Sequence, residues 1–273
     1  MKDYSILIKQ DPDYYARLST IPIHLLTDEG LIKETASSCI IEYNSLNNLL
    51  AAEHSVIDEK TMLQKRCGIL LGIEPNIRKT EYYIPSYNFM KLFTLDEKTL
   101  ESDPNKTLFN TSEKDSIFVD LAYAFLSKEV VPRDEFIDYK NNEVYFTEKN
   151  IIKTNLDIVP NAKDTYNFFG RIKTEFNDRN KTFSYEEQRQ KNIKFLKIKE
   201  DSLFYVFEMP YVIRTQEEFQ GCSGAPIFNE KGELVSLFVK QYTNTNRFLG
   251  INLEKFKSGI DAEIDLKSKA NGD

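Results

Sequence analysis

Apolar side chains gather along this chain in short runs: "SCIIEY", "NNLLAA", "RCGILLGI", "SIFVDLAYAFL", "NEVYFTE", "DTYNFFGRI", "NIKFLKIK", "LFYVFEMPYVI", "APIF" and "ELVSLFV". These runs are rich in β-branched and aromatic residues, which suit a pleated, half-buried surface, and they predict strands. Polar punctuation separates them at Asn44 to Asn48, Asp96 to Lys106, Lys140 to Asn142, Asn177 to Lys181 and Asn229 to Gly232. Many short strands divided in this way predict a mostly β chain, built as a barrel or a sandwich. Helical spacing occurs in two places. Leu253, Phe256, Ile260 and Ile264 recur at three- and four-residue steps after Asn252, a residue type that caps helices, and predict a closing helix over 252–265. Ser184 with Glu187 has the form of a capping box and predicts one or two helical turns in "SYEEQRQ". Residues 1–30 favour neither period, and residues 96–116 read as a long polar loop with room for a regulatory role.

The length, 273 residues, suits one large domain or two small ones, and a 41% apolar content is enough for a sizeable core. Net charge is −7 with no basic tract, which argues against nucleic acid or an anionic membrane as partner and leaves proteins and peptides. Three cysteines, Cys39, Cys67 and Cys222, lack zinc-type spacing, and only His24 and His54 could add imidazole, so neither a metal nor a cofactor is expected. The start "MKDYSILIKQDPDYY" does not read as a leader, and no run approaches bilayer-spanning length. The expectation is a soluble, cytoplasmic protein from a reducing compartment, and the Lys-, Asn- and Ile-rich composition suggests a bacterial source.

"GCSGAPIFNEKGELVSLFV" places Ser223 between two glycines ahead of a strand pair, a context that also describes an ordinary tight turn. A serine hydroxyl is a weak nucleophile near neutral pH and needs a base, a group that orients the base, and donors for an oxyanion. His54 in "LLAAEHSVI" stands at the end of an apolar strand. Asp120 in "SIFVDLAYAFL" is an acid in an apolar run, costly to bury unless paired. Asp115 is the rival acid.

The order His54, Asp120, Ser223, with "AAEH", "VDLAYA" and "GCSGAP" around them, resembles the chymotrypsin-like (trypsin-fold) serine peptidases, in the bacterial intracellular type. The resemblance covers residues 31–256, and "KDTYNFFGRI", "GELVSLFV" and "RFLGINLEKF" extend it. It implies one peptidase domain over 1–273, made of two six-stranded antiparallel β-barrels and a C-terminal helix. The N-terminal barrel, 31–135, would carry His54 and Asp120, and the C-terminal barrel, 136–256, would carry Ser223. It further implies that His54 is the base, that Asp120 orients it, and that the amides of Gly221 and Ser223 form the oxyanion hole. Glu217, near the floor of the primary pocket, would meet a basic substrate side chain, with Glu218 and Lys240 as competitors for that role. Lys240 and Gln241 would follow the strand that pairs with substrate backbone.

Departures from the family pattern bear on activity. Glu53 replaces a small residue before the histidine, Ala51 a Thr or Ser, Cys222 the usual Asp or Asn, and Ala225 a glycine. With no acid before the serine, activation by a buried new amino terminus is not expected. Ser55 stands where a disulfide partner for Cys39 would be, so Cys39 is expected to be a free buried thiol. Cys222 is a weaker candidate nucleophile than Ser223, because its side chain should point inward. Two functions follow: a serine endopeptidase acting through an acyl-enzyme, under control of a protein activator, inhibitor or signal, or a silent trypsin-fold module that binds a protein or peptide.

Overall fold

Asp11 caps the first helix, α1 (Pro12–Ser19), by accepting the Tyr14 N–H at 3.0 Å, and Pro12 stands in the first turn, where its missing N–H costs nothing. The computed structural model describes residues 11–28, 32–58, 60–61, 63–70, 82–83, 120–128, 130–138, 143–177, 182–200, 203–261 and 264. After α1 the chain is almost all strand. The first half contributes β1 (Ile21–Leu26), β2 (Ile32–Tyr43), β3 (Leu46–Ala51), the helical turn α2 (Glu53–Val56), β4 (Cys67–Leu70), β5 (Tyr82–Tyr83) and β6 (Ala122–Leu126). A hairpin, β7 (Arg133–Asp138) with β8 (Glu143–Glu148), leads to β9 (Ile151–Lys153). The second half contributes β10 (Tyr166–Asn177), β11 (Thr182–Ile198), β12 (Phe204–Ile213), β13 (Pro226–Asn229), β14 (Leu234–Gln241) and β15 (Thr245–Ile251).

Strands β10-β11-β12-β15-β14-β13 close into a six-stranded barrel. The first half forms a sheet along the path β5-β4-β1-β2-β3-β6, with β9 added parallel to β2. Among the described residues the ends of that path do not meet. The mostly β architecture is therefore a closed barrel beside a half-barrel sheet, finished by a C-terminal helical segment. Asn44 and Ser45 turn β2 into β3 with φ of 48° and 62°, the left-handed pair that a two-residue hairpin requires.

Alternation sends the two faces of each strand into different cores. From β2, Cys39 and Ile41 enter a central cluster with Leu50, Phe169, Leu237 and Val239, which joins the sheet to the barrel. Ile40, Leu49 and Ala122 face the opposite side of the sheet with Ile23 and Ile69. Burial on both faces is why these segments read as continuous apolar runs. The barrel interior is packed with phenylalanines; Phe207 stacks on Phe248 at 5.3 Å, and Phe238 lies 5.1 Å from Phe248.

Two sequence expectations change. Ser184 and Glu187 do not cap a helix: both lie in β11, with Ser184 opposite Glu175 and Glu187 opposite Arg171 of β10. The partner strand satisfies the backbone groups that a capping box would have served, and Glu187 pairs with Arg17 of α1 at 2.9 Å. The C-terminal segment forms, as a 3-10 turn over Leu253–Phe256 continuing helically to residue 261, with Leu253, Phe256 and Ile260 buried in the central cluster. Asn252 precedes it without a side-chain cap bond, because its Oδ1 accepts the Tyr205 hydroxyl at 2.6 Å instead. The polar loop at 96–116, with the rival acid Asp115, lies outside the described residues.

Candidate active site

Strand pairing brings the first two candidate residues together. Ala51, the last residue of β3, pairs with Ala122, the first of β6, so the chain leaving β3 and the chain entering β6 meet at one end of the sheet. His54 follows in α2, and Asp120 sits just before β6. The Asp120 carboxylate holds the histidine twice: Oδ1 accepts the His54 backbone N–H at 3.0 Å, and Oδ2 lies 2.6 Å from Nδ1. A carboxylate can only accept, so Nδ1 carries a proton, and in the neutral ring Nε2 keeps its lone pair. That lone pair faces the Ser223 hydroxyl at 2.9 Å. The Asp120, His54 and Ser223 side chains thus form one continuous hydrogen-bonded line. The histidine side chain keeps 36% exposure, open to a ligand in the cleft.

Ser223 is positioned by a loop that neighbouring backbone leaves little room to move. Gly221 and Gly224 have φ of +103° and +88°, in the left-handed region. A Cβ on Gly221 would sit 2.3 Å from the Arg171 carbonyl oxygen, and one on Gly224 2.1 Å from that of Ser37. The loop is tied to the barrel, since Gly224 N–H donates to Phe238 C=O at 2.7 Å and Phe238 N–H to Ala225 C=O at 2.8 Å. It is also tied to the first sheet: Ser37 N–H donates to Ser223 C=O at 3.0 Å, and Ser37 Oγ donates to Gly221 C=O at 2.7 Å. Along the loop the amides alternate. Those of Cys222 and Gly224 are engaged with Phe219 and Phe238, while among the described residues no backbone carbonyl takes those of Gly221 and Ser223.

The serine lies in a cleft of about 950 Å³ between the sheet and the barrel. Glu217 and Lys240 both line it. Glu217 begins a 3-10 turn, fully exposed, and its own backbone N–H and the Thr215 hydroxyl hold its carboxyl below the usual range. Glu218 is engaged elsewhere, accepting the amides of Arg214 and Thr215 at 2.7 and 2.9 Å. Cys222 is buried with its thiol toward Gly170, whose missing side chain leaves the room, and burial pushes that thiol well up. A neutral, inward thiol does not compete with Ser223. Cys39 is likewise a buried free thiol.

Three contributors have no sequence signature. Ser37 clamps the serine loop, Lys65 Nζ donates to the His54 and Ser55 carbonyls at 2.9 and 3.4 Å, and the Val239 carbonyl lies 3.2 Å from Ser223 Oγ. Ser37 and Lys65 grip backbone carbonyls with their side chains, and Val239 offers a carbonyl of its own; any residue type carries such carbonyls, so no local motif marks these contacts. Among the described residues no cluster of His, Cys, Asp and Glu could hold a metal ion, and no helix is long and apolar enough to cross a membrane.

No protein-family model and no curated protein sequence matches the chain. Among solved structures it is similar to a serine endoprotease from Yersinia pestis, at 11% identity and a TM-score of 0.48, covering 100% of this chain and 68% of that one. It is also similar to the scabies mite inactivated protease paralogue S-D1, at 10% identity and a TM-score of 0.49, covering 92% and 94% of the two chains. One neighbour is described as an endoprotease and the other as inactivated, so neither activity nor its loss follows from the likeness.

Proposed function

We propose that the protein is a serine endopeptidase, cleaving peptide bonds by acyl transfer to Ser223. The observation that carries this reading is the unbroken line Asp120–His54–Ser223, at 2.6 and 2.9 Å, in an open cleft. As Ser223 Oγ attacks the scissile carbonyl carbon, its proton passes to His54 Nε2, and Asp120 stabilises the resulting imidazolium while holding the ring in place. The carbonyl oxygen, now an oxyanion, is taken by the amides of Gly221 and Ser223, the two in the loop that no backbone carbonyl among the described residues takes. Collapse of the tetrahedral adduct breaks the C–N bond, and His54 returns its proton to the leaving amine. Water then hydrolyses the Ser223 ester by the same route, with His54 as base.

Glu217 at the cleft rim is positioned to favour a basic side chain beside the scissile bond, and its low pKa keeps it charged at neutral pH. Cys39 and Cys222, both buried free thiols, are compatible with a reducing compartment.

A fluorophosphonate probe tests the reading. Wild type should be labelled covalently, with labelling abolished in Ser223→Ala and sharply reduced in His54→Ala; turnover should fall by roughly four to six powers of ten in either variant. A folded wild type that takes no label would sink the catalytic reading and leave a peptide-binding module.

A further inference from the structure

The outer wall of the barrel carries a second concavity next to the cleft, and the described charged residues that line it are of one sign. Four residues lie in cross-strand register across it: Lys197 of β11 opposite Val206 of β12, Val206 opposite Leu249 of β15, and Leu249 opposite Lys240 of β14. Phe207 and Phe248, the neighbours of Val206 and Leu249, point into the barrel core, so by alternation this row points outward. Outward-facing Val206 and Leu249 are nevertheless only 7% and 6% exposed, which makes them an apolar floor between two lysine walls. Strand spacing puts those walls about 14 Å apart, the length of roughly four residues of extended peptide.

Arg247, two residues before Leu249 on the same face, and Lys199, two after Lys197, add to the cationic lining of a groove of about 650 Å³. Among the described residues no carboxylate lines it. Glu208, opposite Arg247 in register, is not part of the lining, and its Oε1 accepts from Asn246 Nδ2 at 2.8 Å. In a chain of net charge −7, four cations around one concavity, with no described ion pair claiming Lys197, Lys240 or Arg247, are a local reversal of sign. The catalytic cleft, by contrast, is lined by both signs, including Glu34, Glu175, Lys65 and Lys173. Gln216, Lys240 and Gln241 line both hollows, so a peptide seated at Ser223 can continue into the groove.

We propose that this groove selects acidic peptide: substrates carry Glu or Asp a few residues from the scissile bond, with their carboxylates held by Lys197, Lys240, Arg247 and Lys199 and their aliphatic stems laid on Val206 and Leu249. The inference rests on the peptidase reading for the seat at Ser223, but recognition itself requires no catalysis. The test is therefore binding. Position-scanning pools of fluorescent decapeptides, with Glu or Gln fixed at one position, are titrated by anisotropy against full-length Ser223→Ala protein. At low salt the best Glu pool should bind at least tenfold more tightly than its Gln counterpart, and the difference should shrink in about 0.5 M NaCl as the charges are screened. The charge reversals Lys197→Glu and Arg247→Glu, introduced together, should abolish or invert the preference while the thermal midpoint confirms folding. Should this pair fail to fold, Lys197→Gln with Arg247→Gln is read in the same assay. Equal affinity for Glu and Gln pools at every position overturns the proposal and leaves the peptidase reading intact. Absence of fluorophosphonate labelling in wild type overturns the peptidase reading and leaves the binding result to stand on its own.

Discussion

Gly224 concentrates several constraints in one residue. Its φ of +88° is a conformation that side chains resist, and the Ser37 carbonyl lies where a Cβ would go, while its N–H is committed to Phe238. Relief by rotating the loop would carry Ser223 away from His54, since Ser223 is the adjacent residue. Gly224→Ala is therefore expected to lose about 1–3 kcal/mol of stability through backbone strain, measurable by urea unfolding. It should also lose most fluorophosphonate labelling at temperatures where it remains folded. Ser37→Ala keeps the backbone bond from Ser37 N–H to Ser223 and removes only the hydroxyl clamp on Gly221. Its turnover should fall by less than the roughly 10²- to 10³-fold typical of losing a whole oxyanion donor.

At the scale of elements, the histidine depends on a helical turn too short to be stable alone. α2 (Glu53–Val56) is held at one end by the Asp120 carboxylate on the His54 N–H and at the other by Lys65 Nζ on the His54 and Ser55 carbonyls. A cation at the carbonyl end of a helical turn also meets the favourable end of its dipole. Lys65 is thus a positioning residue. Lys65→Met should lower kcat about tenfold with KM little changed, because the ring is misaligned rather than the substrate released. Restoration of most of the loss by Lys65→Arg would separate alignment from simple packing, and an equal fall in kcat for Met and Arg would contradict the role.

At the scale of the whole molecule, side-chain hydrogen bonds fasten the C-terminal segment to the first sheet. Tyr43, at the end of β2, donates its hydroxyl to Asp261 Oδ1 at 2.7 Å, and Asn44 Nδ2 donates to the same oxygen at 2.9 Å, clasping the C-terminal segment to the first sheet. Burial, together with the Asp261 carboxylate, pushes the Tyr43 pKa from 10.0 up to about 12. The native state then favours the protonated phenol more than the unfolded state does. The contribution is fully present below pH 10 and is lost as pH rises through about 12. Denaturant midpoints measured from pH 8 to 12 should therefore fall more steeply above pH 10 in wild type than in Tyr43→Phe. Below pH 10 wild type should be the more stable by about 1 kcal/mol, the usual worth of one hydrogen bond. Parallel pH curves for the two proteins would show that the clasp does not titrate as described.

What the amino-acid order determined by itself was local: that apolar runs such as those of β2, β3, β10 and β14 are strands, that Leu253, Phe256 and Ile260 share a buried face, and that Ser223 lies between glycines in a tight turn. Such features depend on neighbours within a few residues, and side-chain alternation or a glycine records them directly. The same locality misled at Ser184, where a capping-box pattern was outbid by a whole partner strand, and at Asn252, whose oxygen went to Tyr205. Tertiary structure alone decided that Ala51 pairs with Ala122, setting His54 against Asp120, and that Ser37 and Lys65 brace the loop and turn beside them. It alone aligned Lys197, Val206, Leu249 and Lys240 across four strands. The physical reason is that register between distant strands is chosen by the joint burial of both faces of a sheet and by shared backbone hydrogen bonds, and neither leaves a mark at any single position of the chain.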